Sequence, residues 1–382
     1  MRTTFAVLAL LTLSGGLLPS TAAQETTILP EPFELTDCDI PAPLLFAHID
    51  GVGFENLVFD GQGSMYLTAF EHGLYRAFPN GTVLHVASDD RPIPPDEGVG
   101  ENGPNNFMSP DIGPDGALYV SEGMAIQSPV SARILRFPVP GEPEFEVYAD
   151  GFDGANGLAW GSDGNLYLAH GFRTELWQVT GKDTYRVYGN YPTVNGVVAM
   201  PDGRLGIAQF GDPGQAVSAI DLERGDIQVL FHFNPGVSVA GNQPTVAAGV
   251  GPLQLKGIDD FVVLDDGRIV ATAHFRLQFL LGDPATGDEC ILLSGAKAEP
   301  TSARVAKGFG AWDGWVFLVD NGGDVHAVDL RAGATGEAPG LPEAGEDVPE
   351  AAGTDIAAPG WQIVPLAGAL FAAALLRRRG PA

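Results

Sequence analysis

The sequence predicts an all-β fold, a six-bladed β-propeller with four-stranded antiparallel blades, closed by an N-terminal strand. Three observations predict it. First, one pattern returns six times: an apolar segment, a tight Asp/Gly turn and a second apolar segment, beginning near Glu55, Met108, Asn156, Asn195, Asp259 and Ala306. Second, the copies stand roughly 40 to 65 residues apart, within the range of propeller blades. Third, the clearest copies divide into four short apolar segments separated by turn residues, and four antiparallel strands make a blade. In the first copy these are Glu55 to Phe59, Met65 to Thr68, Leu74 to Phe78 and Thr82 to Ala87; in the third, Gly157 to Trp160, Leu166 to Ala169, Leu176 to Val179 and Tyr185 to Tyr188.

Taken in order, Met1 to Ala23 carries Arg2, an apolar run through Leu18 and Thr-Ala-Ala before Gln24. That combination reads as a secretory signal peptide, so the mature chain is expected at the cell surface or in a periplasm. The propeller is expected to span residues 24–331. Its start, Gln24 to Pro43, is Pro-rich and irregular, and Leu44 to Ile49 then reads as a strand. Two long crossings, Ser88 to Asn106 and Asn234 to Lys256, have no evident strand pattern and read as binding loops or lids, with disordered insertions as the alternative. The last copy offers three segments, Gly308 to Trp312, Trp315 to Val319 and Val325 to Leu330. A three-stranded blade leaves an open edge, which the Leu44 to Ile49 strand is expected to complete.

Residues 332–359 are rich in Ala, Gly, Pro and Glu and read as a disordered acidic linker. Residues 360–382 hold an apolar run, Trp361 to Leu376, followed by Arg377, Arg378 and Arg379. The run is short against the roughly 20 residues of a bilayer span. It reads either as a membrane anchor or as a tripartite C-terminal sorting signal like those of prokaryotic surface proteins.

The 382 residues carry a formal charge of -28, which argues against nucleic acid or an anionic lipid surface as a partner. A small-molecule substrate and a monomeric chain are expected. Only two cysteines occur, Cys38 and Cys290. In an exported chain a disulfide between them is expected, stabilising the fold by roughly 5 kcal/mol in the chain-entropy model; two buried free thiols are the alternative.

The strongest functional signal is positional. Counting eight residues back from the turn glycines Gly63, Gly164, Gly203 and Gly267 reaches Glu55, Asn156, Asn195 and Asp259, whereas Gly116 and Gly314 give the apolar Met108 and Ala306. Four oxygen donors in one register predict a hard-cation site, and Ca²⁺ is favoured over Mg²⁺ because it tolerates irregular coordination. The competing reading is a polar lining that merely hydrates a channel. The aspartates of the turns themselves read as hairpin chemistry.

On these residues the sequence resembles the calcium-dependent six-bladed propellers of the regucalcin, gluconolactonase and paraoxonase group, over about Leu44 to Leu330. The resemblance implies a catalytic calcium held by Glu55, Asn156, Asn195 and Asp259. The stretches GFENLVFDGQGSMYLTAF and GIDDFVVLDDGRIVATAHF are most similar to the paraoxonase branch, which places Asp260 at a second ligand position where Asn is more usual. Two departures stand out. Phe107 and Met108 occupy the place of the paraoxonase catalytic histidine, and Cys290 lies earlier than the corresponding cysteine. No esterase specificity is carried over.

The resemblance and the ligand register together lead to an exported Ca²⁺-dependent hydrolase of lactones or related esters, the metal acting as Lewis acid. A non-enzymatic surface propeller with a structural Ca²⁺, binding a sugar or protein, is the main alternative. A quinone-dependent sugar dehydrogenase is a third, without an evident basic cluster for its cofactor. A hydrolase needs a proton acceptor, and second strands are expected to end beside the metal with Thr68, Glu122, His170, Gln209, His274 and Asp320. His274 is the first candidate and His170 the second, since imidazole serves as a base near neutral pH; Asp259 or calcium-bound water is the third. His48, His72, His85, His232 and His326 read as surface or strand residues.

Overall fold

The computed structural model describes residues 35–70, 72–88, 106–123, 132–171, 173–210, 216–233, 256–294 and 298–331, the backbone of 237–240 and 243–246, and positions 334 and 339. The leader expected at 1–23, most of the acidic linker expected at 332–359 and the C-terminal segment at 360–382 lie outside the described residues. So does most of the first long crossing. Among the described residues no helix is long and apolar enough to cross a membrane.

The compact unit that begins at Thr36 contains six four-stranded antiparallel sheets. Their inner strands are Gly53–Phe59, Phe107–Ile112, Leu158–Trp160, Val194–Ala199, Ile258–Val263 and Pro300–Val305. Each inner strand packs against the next, and the sixth against the first, so the blades form a closed ring. Blades one to five run inner to outer in chain order. In the sixth, Val316–Asp320 and Asp324–Val328 follow the inner strand and Leu44–His48 pairs antiparallel with the latter, Leu44 opposite Ala327 and His48 opposite Asp324.

The inner hairpins follow from their turn chemistry. All six turn glycines, Gly63, Gly116, Gly164, Gly203, Gly267 and Gly314, have φ between +76° and +104°, where an L side chain is strained. The preceding aspartates bind the turn backbone: Asp163 Oδ1 accepts the Asn165 N–H and Asp202 Oδ1 that of Arg204, both at 3.1 Å. They form turns rather than reaching toward the channel.

Between blades the alternating strand faces bury a chain of apolar clusters. At the seam of blades six and one, Phe46 of the closing strand sits among Phe309, Trp312 and Phe317, with ring centroids 5.0 to 6.0 Å apart. Burying an aromatic ring of this size stabilises by about 1.5 to 3 kcal/mol, so the seam is an apolar lock. Upstream of it, residues 36–38 run beside the outer strand of blade five, Glu289–Ser294. The Cys38 N–H donates to the Ile291 carbonyl at 2.8 Å and the Ile291 N–H to the Thr36 carbonyl at 2.9 Å. Cys38 and Cys290 are disulfide-bonded, with Cα atoms 5.1 Å apart, and no described cysteine is free.

Two sequence expectations shift. The segment Gly308 to Trp312 is not the sixth inner strand: Gly310–Trp312 is a 3-10 turn inside a lengthened hairpin connection, and the strand is Pro300–Val305. Counting back from Gly314 therefore lands in the connection, and Thr301, not Ala306, occupies the sixth place in the ligand register. The second long crossing also contains a two-stranded hairpin, Val237–Ala240 with Gln243–Val246, where no strand pattern is evident in the sequence.

Candidate metal centre

A β-bulge opens the inner hairpin of five blades near the start of the inner strand. Pairing skips between Phe54 and Asn56, Phe107 and Pro110, Val194 and Val197, Ile258 and Phe261, and Pro300 and Ser302. The skipped positions include Glu55, Met108, Asn195, Asp259 and Thr301. A bulge re-aims a side chain out of the pleat, which lets these residues leave the inter-blade packing. Asn156 sits just before the third inner strand, its N–H donating to the Ala169 carbonyl at 2.8 Å.

The backbone at this level is stitched from blade to blade. Ser121 Oγ donates to the Asn156 carbonyl at 2.5 Å, the Gly157 N–H to the Asn195 carbonyl at 3.1 Å, and Thr301 Oγ1 to the Phe54 carbonyl at 2.9 Å. Thr68 Oγ1 donates to the Met108 carbonyl. The glycine after each asparagine permits this approach. A Cβ on Gly196 would stand 2.6 Å from Asp260 Oδ1 and 2.7 Å from the Asp259 carbonyl oxygen. The Asn-Gly pairs of GANGLAW and NGVVAM are thus close-packing sites at the axis, not turns.

Glu55, Asn156, Asn195, Asp259 and Asp260 are all buried. Asn195 Nδ2 donates to Asp259 Oδ1, while Asn195 Oδ1 has no hydrogen-bond partner. Burial, then the charges of Asp259 and Asp260, push the Glu55 carboxyl well above its usual range. Asp259 is raised likewise by burial and by Asp260, against the hydrogen bond from Asn195. Buried carboxylates that disfavour one another's charge, beside a bare carbonyl oxygen, match the donor set of a hard divalent cation, which removes the repulsion and fills the missing contacts. The residues present therefore fit such an ion.

Asp260 differs from the other four. Its Oδ2 is saturated, lying 3.1 Å from Asn56 Nδ2, 2.6 Å from Ser302 Oγ and 2.5 Å from Arg304 Nη1. Its Oδ1 is buried without a partner, and it is the atom nearest to a Cβ built on Gly196. One oxygen is anchored and the other is left for the centre. Asn56, Ser302 and Arg304 escaped the sequence reading; Asn56 and Ser302 stand at the Asp260 position of their own blades, Asn56 next to Glu55 in the counted register and Ser302 only once the sixth inner strand is placed at Pro300–Val305.

Of the two candidate histidines, the structure brings one to the cluster. His274 begins a 3-10 turn, His274–Arg276, and its Nδ1 lies 3.7 Å from Asp259 Oδ2 with no hydrogen-bond partner. Burial holds its pKa below the ordinary value, against the charge of Glu299, which keeps the ring neutral. Phe210 and Phe275 pack against it. His170 is 2 % exposed, lies against Gly154, and has neither ring nitrogen hydrogen-bonded. It sits beside the crossing from blade two rather than against the carboxylates. Glu122, the equivalent in blade two, is paired with Arg133.

Neither a family model nor a curated protein matches the sequence. Solved structures do match. A gluconolactonase from Xanthomonas campestris superposes with a TM-score of 0.51 at 12% identity, covering 79% of this chain and 99% of that one. The fold is the one gluconolactonases use. A structural-genomics protein assigned as a gluconolactonase gives 0.52 at 16% identity, covering 77% and 93%. A glucose dehydrogenase also gives 0.52, at 15% identity, covering 76% and 100%. At these identities the likeness is one of fold, and one fold serves several reactions.

Proposed function

We propose that this chain is an exported Ca²⁺-dependent hydrolase of lactones or related esters. The observation that carries the reading is the buried cluster of Glu55, Asn195, Asp259 and Asp260 with a neutral imidazole, His274, whose unpartnered Nδ1 lies 3.7 Å from Asp259. Glu55, Asn156, Asn195 and Asp259 would hold the ion, with Asp260 Oδ1 beside them. Calcium bound there supplies Lewis-acid polarisation of an acyl carbonyl. His274 Nδ1 takes the proton of the attacking water and returns it to the leaving alkoxide, the work of a general base and acid. Arg304, Ser302 and Asn56 keep Asp260 from turning away, so the oxygen cluster is held ready before substrate arrives. Phe210 and Phe275 shield the imidazole on one side and keep its charged form unfavourable. On this reading residues 1–23 act as an export leader and residues 360–382 as an anchor or sorting signal, so that a monomeric propeller works at the membrane or surface on a small diffusible substrate.

The test is a panel of sugar lactones, acyl-homoserine lactones and aryl esters, assayed with Ca²⁺ and with chelator on the wild type and on Asp259→Ala. At least one substrate should turn over only with Ca²⁺, and the thermal midpoint should rise with Ca²⁺ in the wild type alone. A Ca²⁺-dependent midpoint with no turnover on any substrate would leave the ion a purely structural role.

A further inference from the structure

A second group of ligating side chains lies in blade six, on its second and third strands; the first of them, Asp320, pairs with Pro300 at the edge of the inner-strand bulge. Asp320 ends the strand Val316–Asp320, and Asp324 and His326 lie on the next, Asp324–Val328. Leu318 pairs with His326, so alternation puts Asp320, Asp324 and His326 on one face of the hairpin. One ligand atom from each of the three lies within 4.8 Å of the others.

The decisive member is Asp320. It is 0 % exposed; Oδ1 accepts the turn N–H groups of Gly322 at 3.0 Å and Asp324 at 3.1 Å, and Oδ2 has no partner at all. A buried carboxylate oxygen left bare is costly unless something positive meets it. Asp324 and His326 keep 13% and 15% side-chain exposure, which gives an ion a way in. His326 Nε2 lies 3.8 Å from Asp324 Oδ2. On the far side, His48 Nδ1 of the closing strand lies 2.6 Å from Asp324 Oδ1, the position of an outer partner that orients a ligand.

We infer that Asp320, Asp324 and His326 form a second divalent-cation site, one that takes a transition ion of the Zn²⁺ class. One imidazole nitrogen with two carboxylates suits such an ion better than Ca²⁺, which prefers an all-oxygen shell. Metal–ligand distances of about 2.0 to 2.2 Å ask the three atoms to draw in slightly from their present spacing, with water completing the tetrahedron. Because His48 reaches Asp324 from the strand that completes the ring, filling the site tightens the closure of the propeller.

The probes are Zn²⁺ and Co²⁺ alone, titrated into chelator-treated, untagged full chain carrying Asp259→Ala, which silences the channel. Calorimetry should give one Zn²⁺ per chain, Co²⁺ should give a saturable visible absorption, and Zn²⁺ should raise the thermal midpoint. His326→Gln and Asp320→Asn should each weaken binding by roughly 100-fold and abolish the Co²⁺ band, and His48→Gln should weaken it by about 10-fold. His326 is partly exposed, so its variant decides the matter if Asp320→Asn fails to fold. Unchanged Zn²⁺ binding in His326→Gln, no saturable binding in Asp259→Ala, or a preference for Ca²⁺ over Zn²⁺ would each overturn the inference.

Discussion

Gly196→Ala tests how tightly the inner strands hold the centre together. The new methyl would stand 2.6 Å from Asp260 Oδ1, 2.7 Å from the Asp259 carbonyl oxygen and 2.9 Å from the Asp260 Cα. Ordinary contact begins near 3.5 Å, so it intrudes by about 0.6 to 0.9 Å on three atoms of blade five. None can swing aside: two are backbone, and Asp260 is anchored through its other oxygen by Arg304 and Ser302. Overpacking of this kind costs about 1 to 3 kcal/mol. Alanine also restricts the unfolded chain, which offsets about 0.4 to 1 kcal/mol. The net expectation is a loss of about 2 kcal/mol, read by equilibrium unfolding in urea at unchanged slope, with weaker Ca²⁺ binding because Asp259 and Asp260 move together. Gly164→Ala is the control. That glycine has φ +76° and open space around it, so alanine there should cost about 1 kcal/mol of backbone strain and leave Ca²⁺ binding alone. A Gly196→Ala protein as stable as the wild type, with the same Ca²⁺ response, would mean that blades four and five part freely and that the centre is not preformed.

On a substrate that turns over, His274→Gln should lower kcat by roughly 100-fold or more while Ca²⁺ still raises the thermal midpoint; an unchanged kcat would pass the proton to Asp259 or to metal-bound water. Burial, offset by N–H donors from Trp160 and Ile112, raises the Asp111 carboxyl from 3.8 to about 6. An acid whose folded pKa is raised binds its proton more tightly when folded, so its contribution to stability grows as pH falls from about 6 to 4, by about 3 kcal/mol at most. Asp111→Asn should flatten that part of the stability profile; an identical slope in both proteins would remove Asp111 from the account. The Arg-paired turn carboxylates Asp202 and Asp266 have lowered pKa values and act only at more acid pH.

What the sequence shows plainly is what recurs. The Asp/Gly turns and paired apolar segments repeat because each blade needs the same tight hairpin, and six copies announce the ring. The four-donor register was legible for the same reason, since Glu55, Asn156, Asn195 and Asp259 each stand eight residues before a turn glycine. The reading failed where the hairpin changes length: the 3-10 turn of Gly310–Trp312 pushes the sixth turn glycine away from its strand and hides Thr301. Bulges leave no mark in the letters, so the grip of Asn56, Ser302 and Arg304 on Asp260 was invisible. The three blade-six ligands lie within seven residues, but only the strand pairing puts them on one face and only the folded packing leaves Asp320 Oδ2 bare, so the letters alone did not single them out.

That closure fixes an order of events in folding. Among the described strands Leu44–His48 comes first, yet its partner, Asp324–Val328, comes last. Cys38 likewise waits for Cys290, 252 residues downstream. Contacts of such long range form slowly, because loop-closure entropy must be overcome before they reward the chain. Five blades can assemble while the sixth still shows a bare strand edge, the surface on which unfinished sheets join one another. The slowest step in maturation should therefore be the docking of this one strand, and a chain whose first strand is delayed, mispaired or clipped is exposed to sheet-edge association through its last blade.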